Sequence, residues 1–157
     1  MGPATVMITG ASSGFGAATA QLFAERGNRL ILIARRMDKL NELKERLSGD
    51  VDLHLVQLDI RDRQAVDGLV AGLPEQFQEI DLLINNAGLA LGLEPAWQVA
   101  LDDWDTMVDT NIKGLMYMVR AVLPGMVARN RGHIVNIGST AGAWPYPGGN
   151  TYGGSKA

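Results

Sequence analysis

The sequence has no cysteine, no excess of basic residues and no long apolar run. Without thiols the chain cannot form a disulfide framework or a thiolate metal site, and this composition suits a reducing compartment. No segment approaches the roughly 20 apolar residues that a membrane-spanning helix needs. The amino terminus lacks a basic segment before an apolar run and leads directly into a strand-like stretch, so we expect no signal peptide. These absences predict a cytoplasmic protein without a membrane partner or a metal site.

The charge and the length of the chain further limit the classes of function that the protein can have. The chain has 14 Lys and Arg residues against 17 Asp and Glu residues, for a net charge of -3, and its basic residues are scattered. Proteins that follow the phosphates of DNA or RNA present a basic stripe, so we expect no nucleic-acid partner. With 157 residues, of which 46% are hydrophobic, the chain is long enough for one domain with its own core. An enzyme or a small-molecule binding protein remains.

Short β-rich runs alternate with segments of helical periodicity. The runs span residues 5–9, 30–34, 53–58, 81–85 and 133–137. Each is apolar without alternation, as expected for strands that are covered by helices on both faces. Strands that alternate with helices imply right-handed crossovers between parallel strands. The pattern therefore predicts an α/β fold, a doubly wound parallel sheet between two layers of helices.

Two of the helical segments carry clear apolar stripes. Their apolar positions are Val66, Leu69, Val70 and Leu73 in one segment, and Leu40, Leu43 and Leu47 in the other. Spacings of three and four residues place each set on one helix face. We expect the first helix to end at Pro74. We expect the second to carry Glu42 and Arg46 as an (i, i+4) ion pair on its exposed side.

The longest helical segment runs from about Asp102 to Asn130. Asp102 and Asp103 place negative charge at the positive end of the helix, although no Ser or Thr precedes them as a cap. Pro124 removes one backbone donor and is expected to bend the helix.

A glycine-rich loop, TGASSGFG at 9–16, follows the first predicted strand. Glycines let the chain turn tightly and let backbone N–H groups approach a phosphate at the amino terminus of the next helix. The loop lacks the Gly-Lys-Ser/Thr ending of a P-loop, which argues against an ATPase. A glycine turn that serves packing alone is the alternative. The predicted nucleotide-contacting residues of the loop are Gly10, Ser12, Ser13, Gly14, Phe15 and Gly16.

Two adjacent arginines, Arg35 and Arg36, follow the second predicted strand. In dinucleotide folds an acidic residue near this place binds the ribose 2′-hydroxyl, whereas an arginine accommodates a 2′-phosphate. A guanidinium suits bidentate phosphate binding and stays charged at any relevant pH. Asp38 is the nearest acid, and its place at a helix amino terminus fits a dipole role. The arginines predict NADP as the cofactor, with two solvated side chains as the alternative.

These features together resemble the short-chain dehydrogenase/reductase family. The shared motifs are Thr9-Gly10 with Gly14 and Gly16, Asp59 at the end of the third strand, NNAG at 85–88, Asn111 in the long helix, Ser139 after the fifth strand, and Tyr152 with Lys156. Each motif is weak alone, but their order and their places on the predicted elements are specific. The resemblance extends from about residue 4 to the last residue and implies a Rossmann-type fold.

The resemblance implies roles for four residues in a hydride transfer. A nicotinamide must supply the hydride, because no side chain can carry one. Tyr152 would be the acid/base, and Lys156, one helical turn further on, would favour its phenolate and bind the nicotinamide ribose. Ser139 would hydrogen-bond the reacting oxygen, unless it is a loop hydroxyl without function. Asn111 would hold a water that links the lysine to solvent.

Other family positions lie beside the cofactor. In this chain they are Asp59, Asn86, Ala87 and Gly88. Asn86 could alternatively pin a turn through its side chain. Gly88 would allow the cofactor to approach closely.

Members of the family are longer than this chain. We expect residues 1–157 to form a single dinucleotide-binding domain, truncated after the start of the helix that carries Tyr152 and Lys156, so that carboxy-terminal strands and helices are missing. The family resemblance implies a homotetramer for the complete protein. Gly153 and Gly154 each cost a helix about 1 kcal/mol relative to alanine, so this helix is expected to start less firmly.

Loop similarity narrows the expected substrate. Residues 85–96 and 138–157 look most like the 3-hydroxy acid dehydrogenase subgroup, whose members act on serine, allo-threonine, 3-hydroxypropionate or malonic semialdehyde with NADP. No residue that would bind the substrate carboxylate can be identified. The alternatives are a ketone or 3-oxoacyl reductase of another branch, and an NADP-sensing protein without turnover.

Overall fold

The computed structural model describes residues 2–47, 49 and 51–157. A five-stranded sheet in the order β3-β2-β1-β4-β5 forms its centre, and all neighbouring strands are parallel. The strands are β1 (Thr5–Thr9), β2 (Arg29–Ala34), β3 (Leu53–Gln57), β4 (Leu82–Asn85) and β5 (His133–Asn136). Each lies within one predicted run, apart from the start of β2. The strand order reverses beside β1, which confirms the doubly wound parallel sheet.

Six α-helices cover the sheet in the described residues. They are α1 (Gly14–Glu25), α2 (Met37–Arg46), α3 (Arg63–Asp67), α4 (Leu101–Val108), α5 (Leu115–Ala128) and α6 (Asn150–Lys156). Alternate side chains of β1 point to opposite faces, as the period of a strand requires. Val6 and Ile8 pack in a core with apolar residues of α1 and α2, whereas Met7 packs in a second core with those of α3 and α5. These two cores confirm the three-layer arrangement.

The first predicted stripe forms a shorter helix than expected. Regular helix α3 ends at Asp67 and not at Pro74, and Gly68 follows as its cap residue. Turns then carry the chain onward, with hydrogen bonds from Leu69 N to Val66 O and from Gly72 N to Gly68 O. Glycine is a poor helix former, and the buried leucines keep their contacts through the turns.

The second stripe forms as predicted, but its ion pair differs. Leu40, Leu43 and Leu47 are all buried. The Glu42 carboxylate pairs with Lys39 at 2.7 Å, an (i, i+3) contact, and not with Arg46. Residues three and four apart are both neighbours on a helix surface, so Lys39 and Arg46 are each near enough to compete for Glu42.

The long predicted helix is continuous in the structure, but its middle segment is π-helical. Helix α4 continues into a π-helical segment (Asp109–Gly114) and then into α5. Asp102 and Asp103 lie in the first turn of α4, where Ala100 provides no side-chain cap, as expected. Pro124 lies inside α5, and the bend that we expect there stays a prediction. The π segment matters because it carries Asn111.

The described residues contain neither a membrane-spanning helix nor a cluster of metal ligands. None of their helices is both long enough and apolar enough to cross a membrane. Their His, Asp and Glu side chains form no group of three that could hold a metal ion.

Candidate active site

A cleft of ≈ 700 Å³ opens at the carboxyl edge of the sheet. Loops that follow all five strands line it, because parallel strands end at one edge, where ligands of such sheets bind. The predicted site residues that line the cleft are Gly10, Ser12, Ser13, Phe15, Arg35, Arg36, Asp59, Asn86, Ala87, Gly88, Ser139, Tyr152 and Lys156. The other predicted residues, Gly14, Gly16 and Asn111, are not in the lining itself.

The glycine loop has a backbone that only glycine accommodates easily. Gly10 and Gly14 have φ values of +64° and +53°, in the left-handed region. A Cβ on Gly16 would collide with the carbonyl oxygen of Gly10 and would lie 2.6 Å from Nδ2 of Asn86. Ser13 precedes α1 without a side-chain capping bond, so its hydroxyl leaves the N–H groups of the first turn to another acceptor. This loop fits a phosphate at the helix amino terminus.

Asn86 locks the glycine loop against the end of β4. Its Nδ2 donates to the carbonyl oxygens of Thr9 at 3.0 Å and Gly10 at 3.1 Å. In return, the Thr9 hydroxyl accepts from the backbone N–H groups of Asn86 at 3.1 Å and Ala87 at 3.0 Å. Asn86 therefore pins a loop through its side chain, as one interpretation of the sequence held, and that loop is part of the cleft.

The two arginines after β2 lie exposed at one end of the cleft. Among the described residues, neither guanidinium has a carboxylate oxygen within 4.0 Å. Gln57 Nε2 donates to the backbone carbonyl of Arg35 at 3.1 Å and so ties this loop to the end of β3. Two cations at this place can bind a dianionic phosphate.

Arg61 is a charged residue beside the site that the sequence analysis missed. Its Nε lies 3.0 Å from both oxygens of the Asp59 carboxylate, and its Nη2 lies 2.6 Å from Oδ2. The hydrogen bond from this guanidinium lowers the pKa of Asp59, against the opposing effect of burial. The sequence signal that could have indicated this ion pair is the placement of Asp59 and Arg61, two residues of opposite charge, directly after β3.

Tyr152 and Lys156 lie one turn apart on α6 and line the same cleft as Ser139. Lys156 Nζ donates to the backbone carbonyl of Ile137 at 3.0 Å, which fixes the amine near the end of β5. A Cβ on Gly88 would lie 2.9 Å from that Nζ and 3.2 Å from Oδ1 of Asn111, so a larger residue here would require the lysine side chain to shift. The Ser139 hydroxyl accepts a hydrogen bond from Ala141 N at 3.2 Å and can still donate one to a ligand.

Asn111 is buried in the π-helical segment and bridges three elements. Its Oδ1 accepts from Leu89 N at 2.9 Å, and its Nδ2 donates to Leu89 O at 2.8 Å and to the Ser155 hydroxyl at 2.9 Å. The side chain therefore joins the long helix to the loop after β4 and to α6. The water relay to Lys156 stays a prediction.

Thr110, next to Asn111, is a second residue that the sequence analysis missed. It lines the cleft, and the residue is only 9% exposed. Its Oγ1 is buried without a hydrogen-bond partner among the described residues. A buried hydroxyl needs a partner, which a bound ligand or water could provide. Only its place beside Asn111 could have drawn attention to it.

Curated proteins of known name align with nearly the whole of this chain. The NADP-dependent 3-hydroxy acid dehydrogenase YdfG of Escherichia coli (strain K12) is 56% identical over 152 residues. Sulfoacetaldehyde reductase 2 of Chromohalobacter salexigens is 54% identical over 153 residues. The alignments cover 97% of this chain but 60% and 61% of those relatives. The chain thus spans about 60% of the length of the curated relatives it matches.

A solved structure has the same architecture. Serine dehydrogenase from Escherichia coli superposes with a TM-score of 0.92 at 54% identity, over 96% of this chain and 69% of that one. A closed form of serine dehydrogenase complexed with NADP+ gives a TM-score of 0.92 over 60% of its length. A family model described as short chain dehydrogenase matches residues 4–157. The chain belongs to the short-chain dehydrogenase family.

Proposed function

We propose that the whole protein carrying this sequence is an NADP-dependent oxidoreductase that acts on the CH–OH group of a small 3-hydroxy acid. The observation that carries the proposal is one cleft lined by the glycine loop, two exposed arginines, and Ser139, Tyr152 and Lys156. In this proposal residues 1–157 are a single dinucleotide-binding domain. The relatives named above, including an NADP-dependent dehydrogenase, support it.

The residues present fit a dinucleotide phosphate. Gly10 and Gly16 leave no room for a Cβ, because the loop backbone packs closely on itself and against Asn86 and Ala87 after β4. The first turn of α1 would hold the pyrophosphate, and Arg35 with Arg36 would hold the 2′-phosphate. The buried hydroxyl of Thr110 adds a polar group without a partner in the described residues. When bound, the nicotinamide would supply the hydride chemistry.

The chain's own residues would handle the proton and the substrate oxygen. In the reductive direction Tyr152 would donate its phenolic proton to the carbonyl oxygen, and in the oxidative direction its phenolate would take up the alcohol proton. Lys156 would stabilise that phenolate by its positive charge. Ser139 would donate a hydrogen bond to the same oxygen. Asn111 would hold α6 and the long helix in register, and a water on it could return the proton to solvent.

The proposed substrates are serine, allo-threonine, 3-hydroxypropionate and its oxidised form, malonic semialdehyde. The 56% identity to a 3-hydroxy acid dehydrogenase favours this class. Reduction of sulfoacetaldehyde is the second candidate, because a reductase of that aldehyde is 54% identical. Both aldehydes carry an anionic group a short distance from the reacting carbon. A ketone or 3-oxoacyl reductase, or a nucleotide sensor without turnover, remains the alternative.

Turnover assays separate these candidates. The whole protein should oxidise NADPH with malonic semialdehyde and reduce NADP+ with serine or 3-hydroxypropionate, each with a larger kcat/KM than with sulfoacetaldehyde or a 3-oxoacyl thioester. A larger kcat/KM for one of the latter would replace the proposed substrate class. NADPH binding without any turnover would favour the sensor. Tyr152→Phe is the control for contaminating activity.

We also propose that the whole protein is a cytoplasmic homotetramer. Four apolar residues with exposures between 38% and 69% recur along one face of the long helix, namely Ile112, Met116, Leu123 and Val127. A stripe of this kind is typical of a helix that packs against a partner. Light scattering of the whole protein tests the assembly, and a monomer at micromolar concentration would exclude it.

A further inference from the structure

An ionised carboxylate lies beside the predicted 2′-phosphate site. Asp59 lines the same cleft as Arg35 and Arg36. The hydrogen bond from Arg61 lowers the pKa of Asp59 most, and the charge of Arg35 lowers it further, so the carboxylate is anionic and within electrostatic reach of Arg35. Without a bound cation, the Asp59 carboxylate would repel a nucleotide phosphate. It could also form an ion pair with Arg35, which would then be less available to the phosphate.

Arg61 occupies both oxygens of this carboxylate. Three side-chain hydrogen bonds join the two groups at 2.6–3.0 Å, and the backbone N–H of Arg61 donates to Oδ1 at 3.0 Å. A guanidinium fork matched to a carboxylate fixes direction as well as charge. The hydrogen bond to Asp59 does most to raise the pKa of Arg61, and the charge of Asp109 raises it further, but Asp109 itself pairs with Lys113 at 2.7 Å. Arg61 is therefore committed to Asp59.

The turn that carries the pair is held in place on both sides. Asp62 N donates to the Asp59 carbonyl at 3.0 Å and so closes the turn. Ile60 is 6% exposed, and a Cβ on Gly114 would lie 2.7 Å from its Cγ1, so the π-helical segment packs directly on this turn. These contacts hold the Asp59 carboxylate at its place beside the cleft.

We propose that Arg61 determines cofactor specificity by binding the Asp59 carboxylate, which keeps Arg35 and Arg36 available for the 2′-phosphate of NADP. This inference rests on the proposed function, since it concerns the same nucleotide site. Arg61 acts through Asp59 and is a positioning residue. The side chains of Asp59 and Arg61 are 32% and 36% exposed, and an ion pair this open contributes little to stability. Removing Arg61 should therefore change nucleotide preference and leave folding intact.

The test uses two probes that differ only in the 2′-phosphate, adenosine 2′,5′-bisphosphate and AMP. Calorimetric titration of the whole protein at low ionic strength gives a ratio of affinities that needs no substrate and no turnover. For Arg61→Gln the ratio should fall about tenfold, because the uncompensated carboxylate opposes only the extra phosphate. The ratio for Arg61→Lys should fall less than the ratio for Arg61→Gln, because lysine keeps the positive charge. Arg63→Gln is the matched control, since Arg63 is 74% exposed and pairs with Asp67.

The double variant Asp59→Asn/Arg61→Gln separates charge from structure. With the carboxylate gone, the ratio should return to within about threefold of wild type, even if adenine binding weakens equally for both probes. The proposal is overturned if Arg61→Gln leaves the ratio unchanged, if Arg63→Gln lowers it as much, or if the double variant stays low. Should Arg61→Gln fail to fold, Arg61→Ala takes its place, with the same fall expected, and an unchanged ratio in that variant overturns the proposal. Absence of turnover with hydroxy acids would count against the proposed function and leave this ratio meaningful.

Discussion

The glycine-loop side of the cleft rests on β1 and β2, whose residues are buried almost throughout, whereas the tyrosine side rests on α6, which has no buried residue. The first side is further fixed by the hydrogen bonds between Asn86 and the end of β1. On the second side, β5 is an edge strand of the described sheet and has two exposed residues. The proposed nucleotide binding and proton transfer would therefore depend on parts of the fold that are packed to different degrees.

This difference predicts that the two proposed functions can be separated by mutation. Residues in the middle of a sheet are held by many mutual contacts. A substitution at one of them is therefore expected to change nucleotide affinity directly. A seven-residue helix is marginal without tertiary packing, so its reactive groups depend on whatever else covers it. We expect perturbations to abolish chemistry first and nucleotide binding later.

The largest effect is expected for residues 1–157 produced alone. Lys156 would lie on a terminal turn that is free to fray, and the exposed edge at β5 would invite pairing with other chains. We expect aggregation and no NADP-dependent turnover, with weak affinity for adenosine 2′,5′-bisphosphate retained through the glycine loop. Light scattering, the turnover assay and calorimetry check the three parts. A cooperative melting transition together with oxidation of serine would contradict the comparison.

Tyr152→Phe in the whole protein should lose turnover by roughly 10²–10⁴-fold, the contribution typical of one general acid/base. NADPH affinity, measured by nicotinamide fluorescence, should change little, because the phenol serves proton transfer. Lys156→Ala should weaken both, since it is expected to contact the ribose as well. Turnover near wild type in the phenylalanine variant would refute the proposed role of Tyr152.

Arg35→Ala/Arg36→Ala acts on the other side of the cleft. Each charge-assisted hydrogen bond lost costs about 1.5–3 kcal/mol, so NADP should lose tenfold or more in kcat/KM while NAD changes little. The kcat with saturating NADP should stay closer to wild type, because the chemical groups are untouched. An unchanged ratio of kcat/KM between NADP and NAD would place the 2′-phosphate elsewhere.

The sheet was predictable because its signals are local. All five strands fall in apolar runs except for the first residue of β2. The glycine loop and the arginines follow β1 and β2 directly, so their meeting at one edge follows from parallel topology. The helix at residues 66–73 was predicted too long, because the apolar spacing survives in turns that Gly68 and Gly72 impose. Periodicity alone does not distinguish the two conformations.

The missed site residues depend on contacts that no spacing encodes. Arg61 matters through a bidentate contact with a residue two places away, and Thr110 matters because the fold buries its hydroxyl without a partner in the described residues. The π-helical winding at Asp109–Gly114 likewise arises where Asn111 bonds to Leu89 and not from a distinctive composition. Such features follow from tertiary structure.

Gly16→Ala should damage the nucleotide side by a moderate amount. Its Cβ would meet the Gly10 carbonyl, a backbone atom that cannot move aside cheaply. Overpacking of this kind costs about 1–3 kcal/mol, and we expect a lower melting temperature together with weaker NADPH binding. Differential scanning calorimetry and fluorescence titration measure the two effects. Unchanged values of both would mean that the loop is looser than its geometry implies.

Gly154→Ala is the matched change on the tyrosine side, and it should have the opposite sign. Gly154 is exposed in the interior of α6, and nothing lies within 4 Å of the Cβ that alanine would add. Alanine at a compatible helical position gains about 0.4–1 kcal/mol, chiefly because the unfolded chain loses freedom. The melting temperature of the whole protein should rise by a few degrees, and Gly153→Ala should gain less, because its Cβ would approach the Ala141 carbonyl at 3.1 Å. If α6 is weakly packed, the kcat of Gly154→Ala should equal or exceed that of wild type. A fall in both the melting temperature and kcat would show that the tyrosine side is already packed as tightly as the glycine loop.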